Sequence, residues 1–312
     1  MEKWRGTTAI VTGSSAGIGA AICEALVQHG INVIGLARRT DRTQALAEKC
    51  KSASGKIHAV ECDITSSDSI DKAFDYIEKK FGTVNILINN AGTFRKGNLL
   101  DLNMSDDDFK LTFDTNVTGL LLCTRRAYKL MLNQPLGYII NINSVVGHMS
   151  ASALPPIFGL NIYGASKHAV TQITEVTRLE LAEQGNHKIK VTSVSPGAIE
   201  TEINVAANLE ADFWKKLPVL QASDVADQIV YLLGTKPNVQ ISELTIQPIG
   251  EKCLSPGLVD TPIHPEEGRE SLLKEPHLTS NDIVHSILYL LSTPKHVDIK
   301  ELTIKPVGER FG

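Results

Sequence analysis

Short apolar runs alternate along the chain with longer segments whose apolar residues recur at helical spacing. The clearest pair is Thr8–Val11, a β-rich run, and Ala20–Val27, where apolar residues follow the helical period. A glycine-rich turn separates them, so the chain opens with a strand, a turn and a helix. Further strands are predicted at Asn32–Leu36, Ile57–Val60, Val84–Ile88, Tyr138–Ile142 and Ile189–Val194.

This alternation of strands and helices predicts the fold class. Strands that are separated by helices are joined in parallel, and the helices then cover both faces of the sheet. We therefore expect an α/β protein with a doubly wound parallel sheet, built by residues 1–252.

The C-terminal part of the chain repeats itself. The segment from Ser195 to Glu251 returns as Ser255 to Glu309, and each copy begins with Ser-Pro-Gly and approaches its end through Glu-Leu-Thr-Ile. A solenoid needs about three or more units, so two copies do not indicate one. We interpret residues 253–312 as a duplicated loop, helix and terminal strand.

The second copy could extend the sheet. We expect Glu301–Lys305 to form an eighth, parallel strand beside Glu243–Gln247, reached by a right-handed crossover through a helix at Ile283–Leu291. Such a strand would cover a sheet edge through which subunits could associate, so we expect a homodimer, or a monomer, rather than a tetramer. Two alternatives remain open: the second copy displaces the first, or two alternative terminal exons have been joined.

Composition narrows the classes of partner and compartment. The chain has 31 Lys and Arg against 35 Asp and Glu without a basic cluster, so we expect no nucleic-acid partner. Its five cysteines are scattered and lack CxxC spacing, which favours reduced thiols over disulfides or zinc. We find neither an apolar run of about 18 residues for a membrane span nor a secretory leader. We therefore expect a cytoplasmic protein.

The turn after the first strand has the context of a dinucleotide-binding site. Glycines permit a tight turn and close approach of a pyrophosphate, which the helix N-terminus attracts. The GxxxGxG spacing differs from GxGxxG, and an ordinary glycine-rich turn is the alternative. The candidate cofactor residues here are Thr12, Gly13, Ser14, Ser15, Gly17, Ile18 and Gly19.

The residues after the second strand predict which dinucleotide binds. An NAD site of this architecture carries an acidic residue there for the ribose hydroxyls. This chain has Arg38 and Arg39 instead. Guanidinium groups pair with a 2′-phosphate, so the sequence favours NADP, although two solvated arginines at a helix start are the simpler alternative.

Tyr163 and Lys167 are the strongest candidates for chemistry. Their spacing of four places a phenol and an ammonium on one helix face. A nearby cation favours the phenolate and could bring the pKa of Tyr163 toward the range of a general base. A chance pair on an amphipathic rim is the alternative.

Taken together, these residues resemble the short-chain dehydrogenase/reductase family from Trp4 to Glu251. The resemblance implies a Rossmann-type fold and an NADP-dependent enzyme, and it looks most like the farnesol dehydrogenase group, which acts on lipophilic alcohols and carbonyl compounds. The family's marks stand here as Thr12 to Gly19, Asp63 with Ile64, Asn89 to Gly92, Asn116, Ser144, Tyr163 with Lys167, Pro196 with Gly197, and Thr201.

The resemblance also implies a role for each residue. Tyr163 would exchange a proton with the substrate oxygen, while Lys167 would lower the pKa of Tyr163 and hold the nicotinamide ribose. Ser144 would hydrogen-bond the substrate oxygen, and Asn116 would position a proton-relaying water. The implied cofactor contacts are Asp63 at the adenine, Asn90 near the adenosine ribose and Thr201 at the nicotinamide carboxamide. The resemblance implies further cofactor-binding residues at Ile64, Ala91, Gly92, Pro196 and Gly197.

Structural roles remain open for several of these residues. Ser144 could cap a strand end, Asn116 could satisfy backbone groups in a helix kink, and Asp63 could be a helix N-cap. For the whole protein, the alternative is a cofactor-binding regulatory or interaction protein with an obstructed site. A serine hydrolase is disfavoured, because Ser144 lacks the G-x-S-x-G setting.

Two segments should line the substrate pocket, Val145–Ile162 and Glu202–Leu217. Both are rich in apolar residues, which favours a small lipophilic alcohol or carbonyl substrate over a sugar phosphate. His148 and the other histidines lack metal-ligand spacing, so we expect no metal and read them as surface or loop residues.

Overall fold

Eight strands form a single sheet in the computed structural model of the protein. The model describes residues 1–102, 104–149, 159–199, 218–249, 280–294 and 296–306. The strands are β1 (Thr8–Thr12), β2 (Asn32–Ala37), β3 (Ile57–Glu61), β4 (Ile86–Asn89), β5 (Gly137–Ile142), β6 (Ile189–Pro196), β7 (Val239–Pro248) and β8 (Val297–Pro306).

Helices connect these strands and cover the sheet. A π-helical segment, Asp114–Gly119, joins the fourth α-helix to the fifth, and a short 3-10 turn, Val145–Gly147, follows β5. The α-helices are α1 (Gly17–Gln28), α2 (Thr40–Lys49), α3 (Ser67–Phe81), α4 (Asp106–Phe113), α5 (Leu120–Met131), α6 (Asn161–Glu183), α7 (Ala222–Gly234) and α8 (Ser280–Ser292).

The strand order is β3-β2-β1-β4-β5-β6-β7-β8, and β1 to β7 run parallel. The order reverses between β1 and β4, which is the switch point where ligands bind at the carboxyl ends of strands. The predicted doubly wound, Rossmann-type α/β fold is confirmed.

Burial explains why the central strands read as continuous apolar runs. Every residue of β5 is buried, as expected for a strand covered on both faces. One apolar cluster lies on the face that packs against α1 and α7, with Trp4, Ile22 and Ile229 fully buried in it. A second cluster includes Ile70 and Phe74 of α3 and lies on the opposite face.

The duplicated segment does extend the sheet, but the predicted direction of its strand was wrong. β8 lies beside β7 as expected, yet the two run antiparallel, with Val297 opposite Pro248 and Pro306 opposite Val239. The backbone N–H of Ile249 also donates to His296 O, so β8 starts where β7 ends. The handedness rule governs a crossover only once two strands are parallel, and it does not choose between the two directions.

Among the helices that the structure describes, none combines the length and the apolarity that crossing a bilayer would require.

Candidate active site

The candidate residues gather at the carboxyl ends of the strands. Thr12 ends β1 and Ser144 follows β5 by two residues. Asn90 comes directly after β4, and Pro196 ends β6. Because β1 to β6 are parallel, these ends share one edge, and Tyr163 reaches that edge from the first turn of α6.

Ser144, Tyr163 and Lys167 form the chemical centre. Tyr163 hydrogen-bonds the side chain of Ser144, and the Nζ atom of Lys167 lies 5.7 Å from the centroid of the Tyr163 ring. Lys167 is buried, and its ammonium donates to Ile142 O at 2.9 Å. The helical spacing that predicted the Tyr-Lys pair therefore does bring the two side chains together.

The electrostatics of this centre differ from the expectation. Burial raises the pKa of Tyr163 to about 12, and the hydrogen bond with Ser144 opposes that rise. Burial also lowers the pKa of Lys167 to about 8. We expected Lys167 to bring the pKa of Tyr163 down, but in the protein alone burial has the larger effect, and Ser144 favours the phenolate.

Asn116 lies in the π-helical segment, a rare geometry that often marks functional sites. Its Oδ1 accepts from the Thr93 N–H at 2.8 Å, and its Nδ2 donates to Thr93 O at 2.9 Å and to Ser166 Oγ at 3.0 Å. The Ser166 hydroxyl in turn donates to Tyr163 O at 2.7 Å. The side chain of Asn116 thus satisfies backbone groups, as the structural alternative predicted, and links the loop after β4 to α6.

The turn after β1 fits a dinucleotide. Gly13 and Gly17 have φ of 69° and 53°, the left-handed region that glycine adopts without cost. A Cβ at Gly19 would collide with the carbonyl oxygen of Gly13. Helix α1 begins after Ala16 without a side-chain cap and carries no acidic residue in its first turn. Its N-terminal N–H groups are therefore suited to the oxygens of a pyrophosphate.

Three of the predicted cofactor residues hold that turn in place through hydrogen bonds. Asn90 Nδ2 donates to Thr12 O at 2.9 Å and to Gly13 O at 3.2 Å. Thr12 Oγ1 accepts from the N–H groups of Asn90 and Ala91, both at 3.0 Å. Ser14 is fully buried, with its Oγ 3.0 Å from Thr43 Oγ1. These contacts fix the backbone of the turn.

Two arginines lie exposed beside the turn, at the end of β2. Arg39 Nη2 donates to Ser15 Oγ at 3.3 Å, while Arg38 is solvent-exposed. They are the first and second residues after Ala37, which is the last residue of β2. The side chains predicted to select the cofactor therefore flank the glycine turn.

Asp63 and Ile64 follow β3. Asp63 Oδ1 accepts from the N–H and the hydroxyl of Thr65 at 3.0 and 2.8 Å. Ser66, not Asp63, caps α3, so the N-cap alternative for Asp63 was wrong. Ile64 is buried, and its carbonyl approaches Gly119 so closely that a Cβ there would lie 2.5 Å away.

The remaining predicted cofactor residues lie near the same edge or outside the described residues. A Cβ at Gly92 would lie 3.5 Å from Asn116 Oδ1, and the Gly197 N–H donates to Ile246 O at 2.8 Å. Thr201 lies outside the described residues, as do all of the predicted substrate segment 202–217 and half of the segment 145–162. Ile18 is partly buried in the first turn of α1.

Sequence reasoning missed three residues at the site. Phe94 is buried with its ring centroid 5.0 Å from that of Tyr163. His148, interpreted as a surface or loop residue, has Nε2 at 2.9 Å from Ser195 Oγ and 3.3 Å from Glu243 Oε1. Ser166 is the third, and only its place beside Lys167 could have signalled it. Across the described part of the chain, no group of His, Cys, Asp and Glu could hold a metal.

Known dehydrogenases and reductases are similar to this chain in sequence and in structure. A farnesol dehydrogenase of Aedes aegypti is 45% identical over 257 residues, which cover 81% of this chain and 100% of that protein. A metagenomic short-chain oxidoreductase solved with NADP superposes with a TM-score of 0.64 at 27% identity, covering 78% of this chain and 98% of that one. A 3-ketoacyl-(acyl-carrier-protein) reductase from Brucella melitensis, solved with NADH, gives 0.63 at 26% identity over 73% and 91%.

These neighbours support a nicotinamide cofactor for the site described above. The family model described as short chain dehydrogenase matches residues 7–212, which include Ser144, Tyr163 and Lys167. The chain is therefore an oxidoreductase that belongs to the short-chain dehydrogenase family.

Proposed function

We propose that the protein interconverts a lipophilic alcohol and its aldehyde or ketone, with NADP(H) as cofactor and Tyr163 as the acid/base. The observation that carries this proposal is the hydrogen bond between Tyr163 and Ser144 beside the buried ammonium of Lys167. A nicotinamide, when bound, supplies or accepts the hydride. The residues of the chain handle the proton and the substrate oxygen.

The direction of proton transfer follows from the pKa values. A Tyr163 whose pKa is about 12 is a phenol at neutral pH, so it is ready to donate a proton to a carbonyl oxygen. Ser144 would donate a hydrogen bond to the same oxygen and stabilise the charge that develops there. Lys167, with a pKa of about 8, still carries a proton at pH 7 and favours the phenolate that forms. Asn116 would hold the π-helical segment in which a relaying water binds.

Arg38 and Arg39 support NADP over NAD. They are exposed at the end of β2, and Arg39 already bonds to Ser15 of the cofactor turn. A 2′-phosphate between them would gain charge-assisted hydrogen bonds, each stronger than a neutral one. Replacing both by Ala should weaken NADPH binding by about 10- to 100-fold and leave NADH binding nearly unchanged. Arg42→Ala, an exposed charge change in α2, is the matched control.

The lipophilic substrate class rests on two grounds. The 45% identical relative is named a farnesol dehydrogenase. In addition, the ring of Phe94 lies against that of Tyr163, and Phe94, Val145 and Met149 are buried apolar residues, the last two within five residues of Ser144 along the chain. Buried thiols at Cys23, Cys50, Cys62 and Cys123 also support the reducing compartment expected of a cytoplasmic enzyme.

Steady-state kinetics test the proposal. Isoprenoid alcohols and aldehydes, ketosteroids and quinones would be offered with NADPH, NADP⁺, NADH and NAD⁺. Tyr163→Phe should remove turnover by a factor of about 10² to 10⁴ and retain NADPH binding. Tyr128→Phe, which removes an exposed hydroxyl bonded to Gln184, is the control and should leave turnover intact. Tight NADPH binding without turnover on any compound would favour a cofactor-binding regulatory protein.

A further inference from the structure

The turn that follows Ser144 is held against α6. The Gly147 N–H donates to Ser144 O at 2.9 Å, and Thr171 Oγ1 in α6 donates to Gly147 O at 3.0 Å. A Cβ at Gly147 would lie 2.8 Å from Lys167 O, so the turn packs closely on that helix. The next residue, His148, instead contacts strands β6 and β7. The position of Ser144 therefore depends on α6 and on what holds His148.

His148 connects this turn to two neighbouring strands. Its Nε2 lies 2.9 Å from Ser195 Oγ in β6 and 3.3 Å from Glu243 Oε1 in β7. Ser195 is fully buried, and the side chains of His148 and Glu243 are 31% and 16% exposed. A carboxylate oxygen only accepts hydrogen bonds, so a hydrogen on Nε2 suits both neighbours. The imidazole thus joins the turn to β6 and β7 as a donor.

These three side chains match a Ser-His-acid triad in composition but not in geometry. In a triad the imidazole uses one nitrogen for the serine and the other for the acid, so that the first can take the serine proton. Here Ser195 and Glu243 both lie at Nε2 of His148. A nitrogen that donates to the carboxylate has no lone pair to accept the serine proton. The cluster is therefore suited to holding the turn and not to activating Ser195.

An extra residue in β7 turns Glu243 toward His148. Ile241 and Leu244 are both buried in the apolar cluster that packs against α1 and α7, although they are three positions apart. In an unbroken strand, Glu243 would share the face of Ile241. The pairing with β8 shifts between Ile241 and Glu243, which makes Ser242 a β-bulge. The bulge reverses the alternation and places the carboxylate on the opposite face, at His148.

Stability gives little reason to bury the carboxylate of Glu243. Among the described residues, its Oε1 atom is buried without a hydrogen bond, and the ion contact with His148 offsets part of the lost hydration. A buried ion pair adds little stability, because desolvation opposes the attraction. Glu301 occupies the same place in the second copy, but the repeat begins at Ser195 and has no equivalent of His148. The contact with the active-site turn therefore belongs to the first copy.

We propose that Glu243 is a positioning residue of the active site, which acts through His148 to hold the turn that follows Ser144. This inference rests on the proposed role of Ser144 at the substrate oxygen. Ser195 directly precedes Pro196, one of the expected cofactor-binding residues, so the same imidazole also connects the substrate side of the site to the cofactor side. Without the carboxylate the turn is free to shift, and a displacement of about 1 Å can lower turnover about 100-fold.

Kinetics of Glu243 variants test the proposal. Glu243→Ala should lower kcat by about 10- to 100-fold and change the Kd of NADPH by less than about 3-fold, because the glycine turn after β1 is untouched. Glu243→Gln keeps an oxygen that accepts from Nε2 and should stay within about 3-fold of the wild-type kcat. Glu301→Ala, the same change at the equivalent position of the repeat, is the matched control and should keep the wild-type kcat.

A double variant tests whether Glu243 acts through His148. Glu243→Ala combined with His148→Ala should lose no more turnover than the worse of the two single variants, because both changes remove the same contact. Losses that multiply would overturn the proposal. So would equal losses of kcat and NADPH affinity in Glu243→Ala, or a Glu243→Gln variant as slow as Glu243→Ala.

Hydrogen exchange tests the same role without turnover. The Gly147 and His148 N–H groups, which donate to Ser144 O and Val145 O, should exchange about 10-fold faster in Glu243→Ala than in the wild type or in Glu301→Ala. Unchanged exchange would overturn the positioning role. A wild-type protein that turns over none of the offered alcohols and carbonyl compounds would instead contradict the proposed function, and exchange would still decide the role of Glu243.

Discussion

Replacing Asn116 by Ala separates the structural role of this residue from a chemical one. The side chain is 2% exposed and makes three hydrogen bonds, two to the backbone of Thr93 and one to Ser166 Oγ. Each such bond contributes about 1 kcal/mol net. The substitution should therefore lower the free energy of unfolding by about 3 kcal/mol, and the melting temperature by about 6 °C or more.

The loss of these hydrogen bonds should also slow the reaction, because it changes the position of Tyr163. Ser166 holds the carbonyl of Tyr163, so freeing Ser166 lets the start of α6 shift. A displacement near 1 Å can reduce turnover by about 100-fold. Ser166→Ala keeps the two Asn116 bonds to Thr93 and should cost about 1 to 2 kcal/mol.

Urea unfolding followed by two probes would measure these free energies, and kcat/KM would be determined in parallel. A double-mutant cycle between Asn116 and Ser166 should give a coupling of about 1 kcal/mol. The reasoning is refuted if Asn116→Ala loses less than 1 kcal/mol while activity falls 100-fold. That result would assign the side chain to the chemistry instead of the scaffold.

Three further outcomes follow from the site. The kcat/KM for alcohol oxidation should rise between pH 7 and 8, because a Tyr163 of pKa about 12 must lose its proton to act as base, whereas carbonyl reduction should stay nearly constant up to about pH 8 and fall above it, where Lys167 loses the proton that favours the phenolate; a flat oxidation profile would contradict this. Gly19→Ala should reduce NADPH affinity at least 10-fold, as measured by fluorescence titration, because its Cβ would collide with Gly13 O and Asn90 Nδ2, whereas Gly234→Ala, which has open space around it and no positive φ, should leave affinity unchanged. His148→Ala removes the contacts to Ser195 and Glu243 and should lower kcat more than NADPH affinity, since His148 lies in the loop after Ser144; equal loss of both would indicate general unfolding.

The sequence alone determined the features that depend on neighbours along the chain. A period of four places Tyr163 and Lys167 on one face of α6 wherever that helix packs, and glycine at 13 and 17 permits the left-handed turn that the strand-to-helix junction requires. Alternating strands and helices likewise imply a parallel sheet, as β1 to β7 form. These predictions rest on local backbone geometry, which tertiary contacts leave unchanged.

The tertiary structure decided which distant residues meet. Asn90 braces the glycine turn, Ser166 couples Asn116 to Tyr163, and His148 reaches Glu243, and each contact joins segments that no sequence period relates. The direction of β8 belongs to the same class. A strand pattern has a period of two in either direction, so it does not distinguish parallel from antiparallel pairing. Only the packed copies, with Leu244 opposite Leu302 and Tyr231 stacked on Tyr289, fix that choice.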